Sequence, residues 1–313
     1  MIGYLIKRVL RSVITLFIII VIVFVMLRQM PIEGYFNDYD NMTPEAIQNA
    51  LLNMGLLDPI PTQLTRFLKD FVQGDFGLSY RYRVNYPIAK IVAGKAPLSL
   101  AFGGIAMLIG LPLGLALGIL MARSKGKWID NIGTAYIVIM QSVPLAVIYL
   151  VIQLVFTALF NIPLLFSSSN PKTWILPIVT LSLPTIATYG LWLRRYMIDE
   201  QNKDYIKLAK AKGVPSKEIW RHHVFRNAVV PLVQLIPASI LATLSGSIYV
   251  ESLYSIPGMG GLLVDVIKRQ DNTMVQALVI LFASVSILGL LLGDLLMGLV
   301  DPRISLTNKA RTR

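Results

Sequence analysis

A chain of 313 residues that is 55% hydrophobic and 15% charged departs from soluble domains of this length, in which about a quarter of residues are charged. It has no cysteine, which excludes a disulfide framework, a thiolate metal site and a cysteine nucleophile. The net charge of +12 fits nucleic acid or a membrane, and the placement of the basic residues decides between them.

The first expected element is an apolar helix over about 9–30, preceded by Lys7, Arg8 and Arg11. The apolar run from Ser12 to Leu27 exceeds the ~7–15 residues of a signal-peptide core, and Leu27-Arg28-Gln29-Met30 is no small-x-small cleavage site. It reads as an uncleaved membrane helix. Residues 31–96 form a polar stretch too long for a simple connector, expected to fold against the outer surface. Five more apolar stretches follow, at about 98–122, 132–160, 174–193, 229–249 and 274–300. About 20 helical residues cross a hydrocarbon core of ~30 Å, and the stretches lack the alternation of a lipid-facing barrel. The expected class is an all-α integral membrane protein with six transmembrane helices.

Lys7, Arg8 and Arg11; Arg123, Lys125 and Lys127; nine Lys and Arg between 194 and 226; and Arg303, Lys309, Arg311 and Arg313 all fall on one side of such a chain. They are 19 of its 29 basic residues, so both termini are expected to be cytoplasmic. The charge is thus a topology signal, and no nucleic-acid partner is expected.

Inside the spans, Gly110, Gly114 and Gly118 make a GxxxGxxxG face for close helix packing, and Ser245-Gly246-Ser247 a small-residue patch. Pro112, Pro144, Pro177, Pro184, Pro231 and Pro237 are expected to interrupt helices. Catalytic chemistry is not evident. His222 and His223 are adjacent, without an HExxH pattern or clustered carboxylates. The phosphate-loop pattern fails because Met121 and Ala89 stand where Gly126-Lys127 and Gly94-Lys95 would need a first glycine. No metal site and no catalytic residue is assigned. Asp294, in the last span, reads as a proton or cation site or, more simply, as a partner for a loop base or a helix cap. Glu251 is placed at the outer end of the fifth span, facing water, and Gln141, Gln153 and Gln234 either line a pathway or bond between helices.

Between the fourth and fifth spans, residues 194–230 carry the clearest local signal. Asp204 to Lys212 reads as a short amphipathic helix with Tyr205, Leu208, Ala209 and Lys212 on one stripe. Asp204 suits its start and the lysines its end; Gly213 is placed to stop it and Pro215 to prevent continuation. Ser216 is expected to cap a second stretch, to Asn227. A basic helix of this kind can lie on anionic lipid, but its small apolar face better suits a groove in a protein.

The run Asp204-Tyr205-Ile206-Lys207-Leu208-Ala209-Lys210-Ala211-Lys212-Gly213, followed by Arg221-His222-His223-Val224-Phe225-Arg226-Asn227-Ala228-Val229-Val230-Pro231, resembles the EAA loop of ABC-importer permeases. The dipeptide/oligopeptide/nickel group is the nearest subfamily. The EAA-x3-G consensus survives here only as Lys207-Leu208-Ala209-x3-Gly213. Other blocks agree in order: Leu56-Leu57-Asp58-Pro59, Gly74-Asp75-Phe76-Gly77-Leu78-Ser79-Tyr80, Gln141-Ser142-Val143-Pro144, Val250-Glu251-Ser252-Leu253-Tyr254-Ser255-Ile256-Pro257-Gly258-Met259-Gly260, then Asp294 and Asp301-Pro302-Arg303. The large 31–96 loop looks like that of the first permease of a heterodimeric pair.

This resemblance implies a type I ABC importer permease in a bacterial cytoplasmic membrane. Its implied partners are a second homologous permease, two cytoplasmic ATPase subunits that bind ATP and Mg, an extracytoplasmic substrate-binding protein and membrane lipid; the chain itself binds no cofactor. Asp204, Tyr205, Leu208, Ala209, Ala211, Lys212 and Gly213 are the implied ATPase-coupling residues. Gln141, Ser142, Pro144, Glu251, Pro257 and Gly258 are the pathway or gate candidates. Pro257, Gly258, Gly260 and Gly261 are expected to keep 250–263 from forming an ordinary helix, and a plain turn there is an equal rival. Peptide is the implied cargo, with nickel complexes and other small solutes left open. An ion-coupled carrier and a membrane scaffold are rivals from other classes; scarce intramembrane charge weighs against the first, kinked helices against the second.

Overall fold

The computed structural model describes residues 2–243 and 247–300. Asp301-Pro302-Arg303, the C-terminal basic cluster and Ser245-Gly246 lie outside the described residues. The helices in chain order are α1 (Ile2–Leu27), α2 (Pro44–Asn53), α3 (Ile60–Val72), α4 (Ile88–Arg123), α5 (Trp128–Ser142), α6 (Leu145–Phe160), α7 (Ile175–Gln201), α8 (Asp204–Ala211), α9 (Ser216–Val233), α10 (Leu235–Ala242), α11 (Ile248–Leu253), α12 (Met259–Lys268) and α13 (Asn272–Val300). Two-residue strands β1 (Leu78–Ser79) and β2 (Tyr86–Pro87) pair antiparallel before α4. Among the described residues, four helices are long and apolar enough to cross a membrane, and the bent pairs α5–α6 and α9–α10 bring the number to six if each is one span.

The bundle is organised around α4 and α7. A Cβ at Gly110 would stand 2.8 Å from Thr185 Cβ, one at Gly114 2.9 Å from Tyr189 Cβ, and one at Gly118 2.9 Å from the Gly190 carbonyl oxygen. The three glycines therefore face α7 and let two parallel backbones approach more closely than side chains would permit. At 36 residues, α4 is about 54 Å long. It starts ten residues before the apolar stretch and links the two ends of the molecule, one carrying residues 31–87 and the other α8.

Several boundaries differ from the sequence expectation. The 132–160 stretch is two helices meeting at 112°. Pro144 lacks the amide that would continue α5 and clashes with the preceding turn. Pro112, Pro184 and Pro231 sit inside helices that continue through them, because packing re-satisfies what proline frees. The α9–α10 pair bends by 44° at Gln234, where Pro237 offers no amide to the Val233 carbonyl. Ser216 does not cap; it is the first helical residue, preceded by Pro215, with no side-chain cap bond. Within α9, Ile219–Phe225 is a π-helical stretch that buries Ile219 and Val224. Helix α7 runs to Gln201, so the 194–230 connection begins with the last turns of that helix.

Asp294 pairs with a base, but one in a helix rather than a loop. It is buried and ion-paired with Arg8 of α1, and it accepts a hydrogen bond from Gln234 Nε2 at 2.7 Å. That link ties α1 and α9–α10 to α13 through one carboxylate. The buried Asp130 of α5 does the same for α7, accepting from Arg194 Nη2 at 2.8 Å and from the Gly126 amide at 2.8 Å.

Candidate functional site

At one end of the bundle, α8 is a short helix on a rigid mount. Ile206 is fully buried, in an apolar cluster with Leu193 and Met197 of α7 and Ile219 and Val224 of α9. The opposite face stays open: Tyr205 and Leu208 are 40% and 56% exposed, and Ala211 and Lys212 are exposed beside them. Ala209 is only half-buried and packs toward the cluster, so the stripe read from the sequence is partly shared between the two faces. The Asp204–Lys207 ion pair, at 2.8 Å, is exposed and adds little stability.

The helix stop is a complete Schellman motif. The Gly213 amide donates to the Lys210 carbonyl at 3.0 Å and the Val214 amide to the Ala209 carbonyl at 3.1 Å, with Gly213 at φ +79°. Nothing surrounds the position that a Cβ would occupy, so glycine is needed there for its backbone conformation alone. A polar clasp braces the other end of α8. Tyr205 Oη donates to Glu200, and Asn227 Nδ2 donates to Tyr205 Oη at 2.7 Å.

At the far end, two buried carboxylates organise the chain. Glu251 was expected to face water; it is 3% exposed. It accepts from Ser99 Oγ at 2.6 Å and from the amides of Gly260 and Gly261 at 2.7 and 3.0 Å. Ser99 Oγ in turn accepts the Met259 amide at 2.8 Å. The orphan amides of the first turn of α12 thus have partners from α4 and α11. This is why Gly260 and Gly261 lie inside a regular helix, contrary to the expected irregular segment. Gly258 belongs to the same cluster, since a Cβ there would meet Ser99 Oγ and Glu251 Cδ at 2.5 Å. Burial pushes the Glu251 carboxyl above its usual range, with the Ser99 hydroxyl and the two amides pulling it back. Pro257 is exposed at the turn.

Asp271 was not singled out from the sequence. It is fully buried; Oδ2 accepts from Ser79 Oγ at 2.6 Å and from the amides of Tyr80, Arg81 and Tyr82 at 3.0 Å each. Its Oδ1 caps α13 by accepting the Met274 amide at 3.1 Å. The β1–β2 turn is thereby locked to the start of α13. Asp followed by an apolar run is a helix-cap signal that would have found the residue, though not its partners in the 31–87 segment.

A cavity of about 180 Å³ lies between α4, α7 and α10, lined among others by Ser99, Gly103, Thr185, Ser239, Thr243 and Glu251. Gln141, Ser142 and Pro144 are exposed at the α5–α6 corner, and among the described residues no hydrogen bond joins them to Glu251. Gln153 bonds between elements, donating to the Leu164 and Leu253 carbonyls at 3.0 and 3.1 Å.

Comparison with known proteins places the chain in a family. The family described as "Binding-protein-dependent transport system inner membrane component" matches residues 114–306, and its N-terminal companion, "Binding-prot-dependent transport system membrane comp, N-term", matches residues 1–100. The oligopeptide transport system permease protein AmiC of Streptococcus pneumoniae is 36% identical over 228 residues, 72% of this chain and 45% of that protein. The chain therefore spans less than half the length of that relative. The dipeptide transport system permease protein DppB of Lactococcus lactis is 33% identical over 309 residues, 98% of this chain and 100% of that protein. The oligopeptide transport system permease protein OppB of Escherichia coli is 30% identical over 308 residues, 97% and 99% of the two chains. Among solved structures, an amino acid ABC transporter with histidines superposes with a TM-score of 0.52 at 18% identity, covering 68% of this chain and 94% of that one, which bears on the fold alone.

Proposed function

Because the chain belongs to the family of binding-protein-dependent transport system inner membrane components, we propose that it is the permease subunit of an ATP-driven importer. It would form half of a translocation pathway for peptides, opposite a second, homologous permease. Peptide cargo is favoured by the dipeptide and oligopeptide permeases that it resembles over nearly its whole length. ATP and Mg would be bound by two cytoplasmic ATPase subunits, and cargo would arrive on an extracytoplasmic binding protein. In this reading both termini are cytoplasmic, the 31–96 segment contacts the binding protein, and the Glu251–Gly258 cluster with Pro257 lies at the outer gate. Gln141, Ser142 and Pro144 remain pathway candidates.

The observation that carries the proposal is α8. Its inner face is anchored by Ile206, its end is stopped at Gly213, and Tyr205, Leu208, Ala211 and Lys212 are presented outward. A rigidly mounted helix with an open amphipathic face suits a groove on an ATPase subunit, and movement of that subunit would be passed directly to α7 and α9. This chain then contributes differential contacts between two states. An ion-coupled carrier is disfavoured because the membrane carboxylate Asp294 is held by Arg8 and Gln234.

Copurification tests the assembly: the tagged chain should bring down two ATPase chains. Gly213→Val tests coupling. A β-branched residue at φ +79° costs about 1–3 kcal/mol of local strain. Membrane insertion should persist while uptake falls at least tenfold and ATP hydrolysis no longer responds to the loaded binding protein. Undiminished uptake by this variant would sink the coupling role.

A further inference from the structure

Four of the basic residues at the 31–87 end are gathered in one place. Arg83 from the β1–β2 turn, Lys90 and Lys95 from the first turns of α4, and Arg269 from the end of α12 line an open cavity of about 530 Å³. No carboxylate lines it, and among the described residues none of the four forms an ion pair. The Asp271 carboxylate is already engaged by Ser79 and the amides of residues 80–82. Two of the cations are steadied by rings, Arg83 at 4.2 Å from the Tyr86 centroid and Arg269 at 5.6 Å from that of Tyr82. Uncompensated like charges around a cleft raise the local concentration of anions.

The cavity also has a direction. Ile91 and Lys95 line it, while Ser99, Gly103 and Ala106 line the cavity between α4, α7 and α10 described above. Residues 91, 95, 99, 103 and 106 form one stripe along α4. The basic cavity and this second cavity therefore follow one another along one face of α4, with the Ser99–Glu251 contact on the wall of the second. Lys95 is near enough to act on the Glu251 carboxyl.

We propose that this basic cavity is a cargo subsite that receives a carboxylate, that of a peptide C-terminus or an acidic side chain, before the cargo passes Ser99 and Glu251. The assignment rests on the peptide-permease reading above.

The test uses the complete importer in proteoliposomes with its binding protein. The probes are alanine peptides of two to five residues with free or amidated C-termini. Initial uptake is compared between the unmodified importer and the Lys90→Gln, Arg269→Gln double variant; both positions are exposed. The same binding protein serves both importers, so its own preference cancels when their acid-to-amide ratios are compared. The ratio should fall about fivefold in the variant, as expected for losing near-surface charge pairs, with amide uptake unchanged. Raising the salt should shrink the preference of the unmodified importer, and Lys90→Arg with Arg269→Lys should keep it. Equal loss of both peptide forms would overturn the proposal in favour of a docking surface for the binding protein. Equal loss that tracks anionic lipid content would overturn it in favour of a headgroup contact, and an unchanged ratio would also reject it. If the unmodified importer takes up neither form of any probe, the peptide reading itself fails, and this subsite with it.

Discussion

The two ends of the bundle share apolar cores and differ in what is added to them. Around α8 the buried anchor is apolar: Ile206, Ile219 and Val224 exclude water, and past the Tyr205 clasp a glycine-terminated turn leaves Leu208, Ala211 and Lys212 exposed. Around α11–α13 an apolar core that includes Met259, Leu262, Val266, Met274 and Leu278 is joined by two polar hubs: Glu251 and Asp271 each gather donors from separated stretches of chain. Apolar contact is non-directional and lets a helix be carried as a body. A buried carboxylate with several donors has one good geometry and a steep cost when that geometry is lost. The first arrangement suits transmission of movement, and the second suits a device with two discrete states.

Removing Asp271 should break this contrast most severely. Asp271→Ala leaves a buried hydroxyl, three turn amides and a helix-cap amide without their acceptor, costing about 3 kcal/mol or more. Thermal unfolding in detergent should shift down, and limited proteolysis should open the 31–87 segment first. Unchanged protection there would mean that the carboxylate is not the lock.

On the apolar side, Ile206→Ala should cost about 2–4 kcal/mol through lost burial and a cavity and should lower uptake. Leu208→Ala, on the open face, should alter stability by less than about 0.5 kcal/mol yet lower uptake by a similar factor. If Leu208→Ala instead destabilises the isolated chain as much as Ile206→Ala does, the division of α8 into an anchored and a presented face is wrong.

The smallest effect concerns Glu251 and pH. Burial raises its carboxyl in the folded chain, so the folded state binds a proton more tightly than the unfolded state does. That contribution is fully present below the unfolded value and is lost as pH rises through the raised folded value. Acidification from neutral pH should therefore stabilise the unmodified chain slightly, and Glu251→Gln should remove that component. A pH dependence identical in the two chains would assign it to other groups.

How much of this was legible varied with the kind of signal. The α8 helix and its stop could be read because Asp204, Gly213 and Pro215 act through local backbone chemistry, which depends on sequence neighbours. Its buried anchor was not legible. Ile206 looked like one more apolar residue beside Tyr205 and Leu208, and only the arrival of α9 shows which face is covered. The GxxxGxxxG of α4 was readable as a packing face but did not name α7 as its partner. The prolines look alike in the sequence, yet Pro144 separates two helices while helices continue through Pro112 and Pro184. Glu251 looks water-facing in the sequence and is buried, and Asp294 reads as a partner for a base without Arg8 being identified, because these contacts join residues 152 and 286 positions apart.

Composition and the run lengths of apolar residues determined by themselves that this is a helical membrane protein with six apolar stretches. The cause is that the bilayer imposes a length and a hydropathy on each helix separately. The position of α8, the 112° turn at Pro144 and the two carboxylate hubs were decided only by the tertiary structure. Each depends on which donors, acceptors and methyl groups from distant parts of the chain come within a few ångströms of one another.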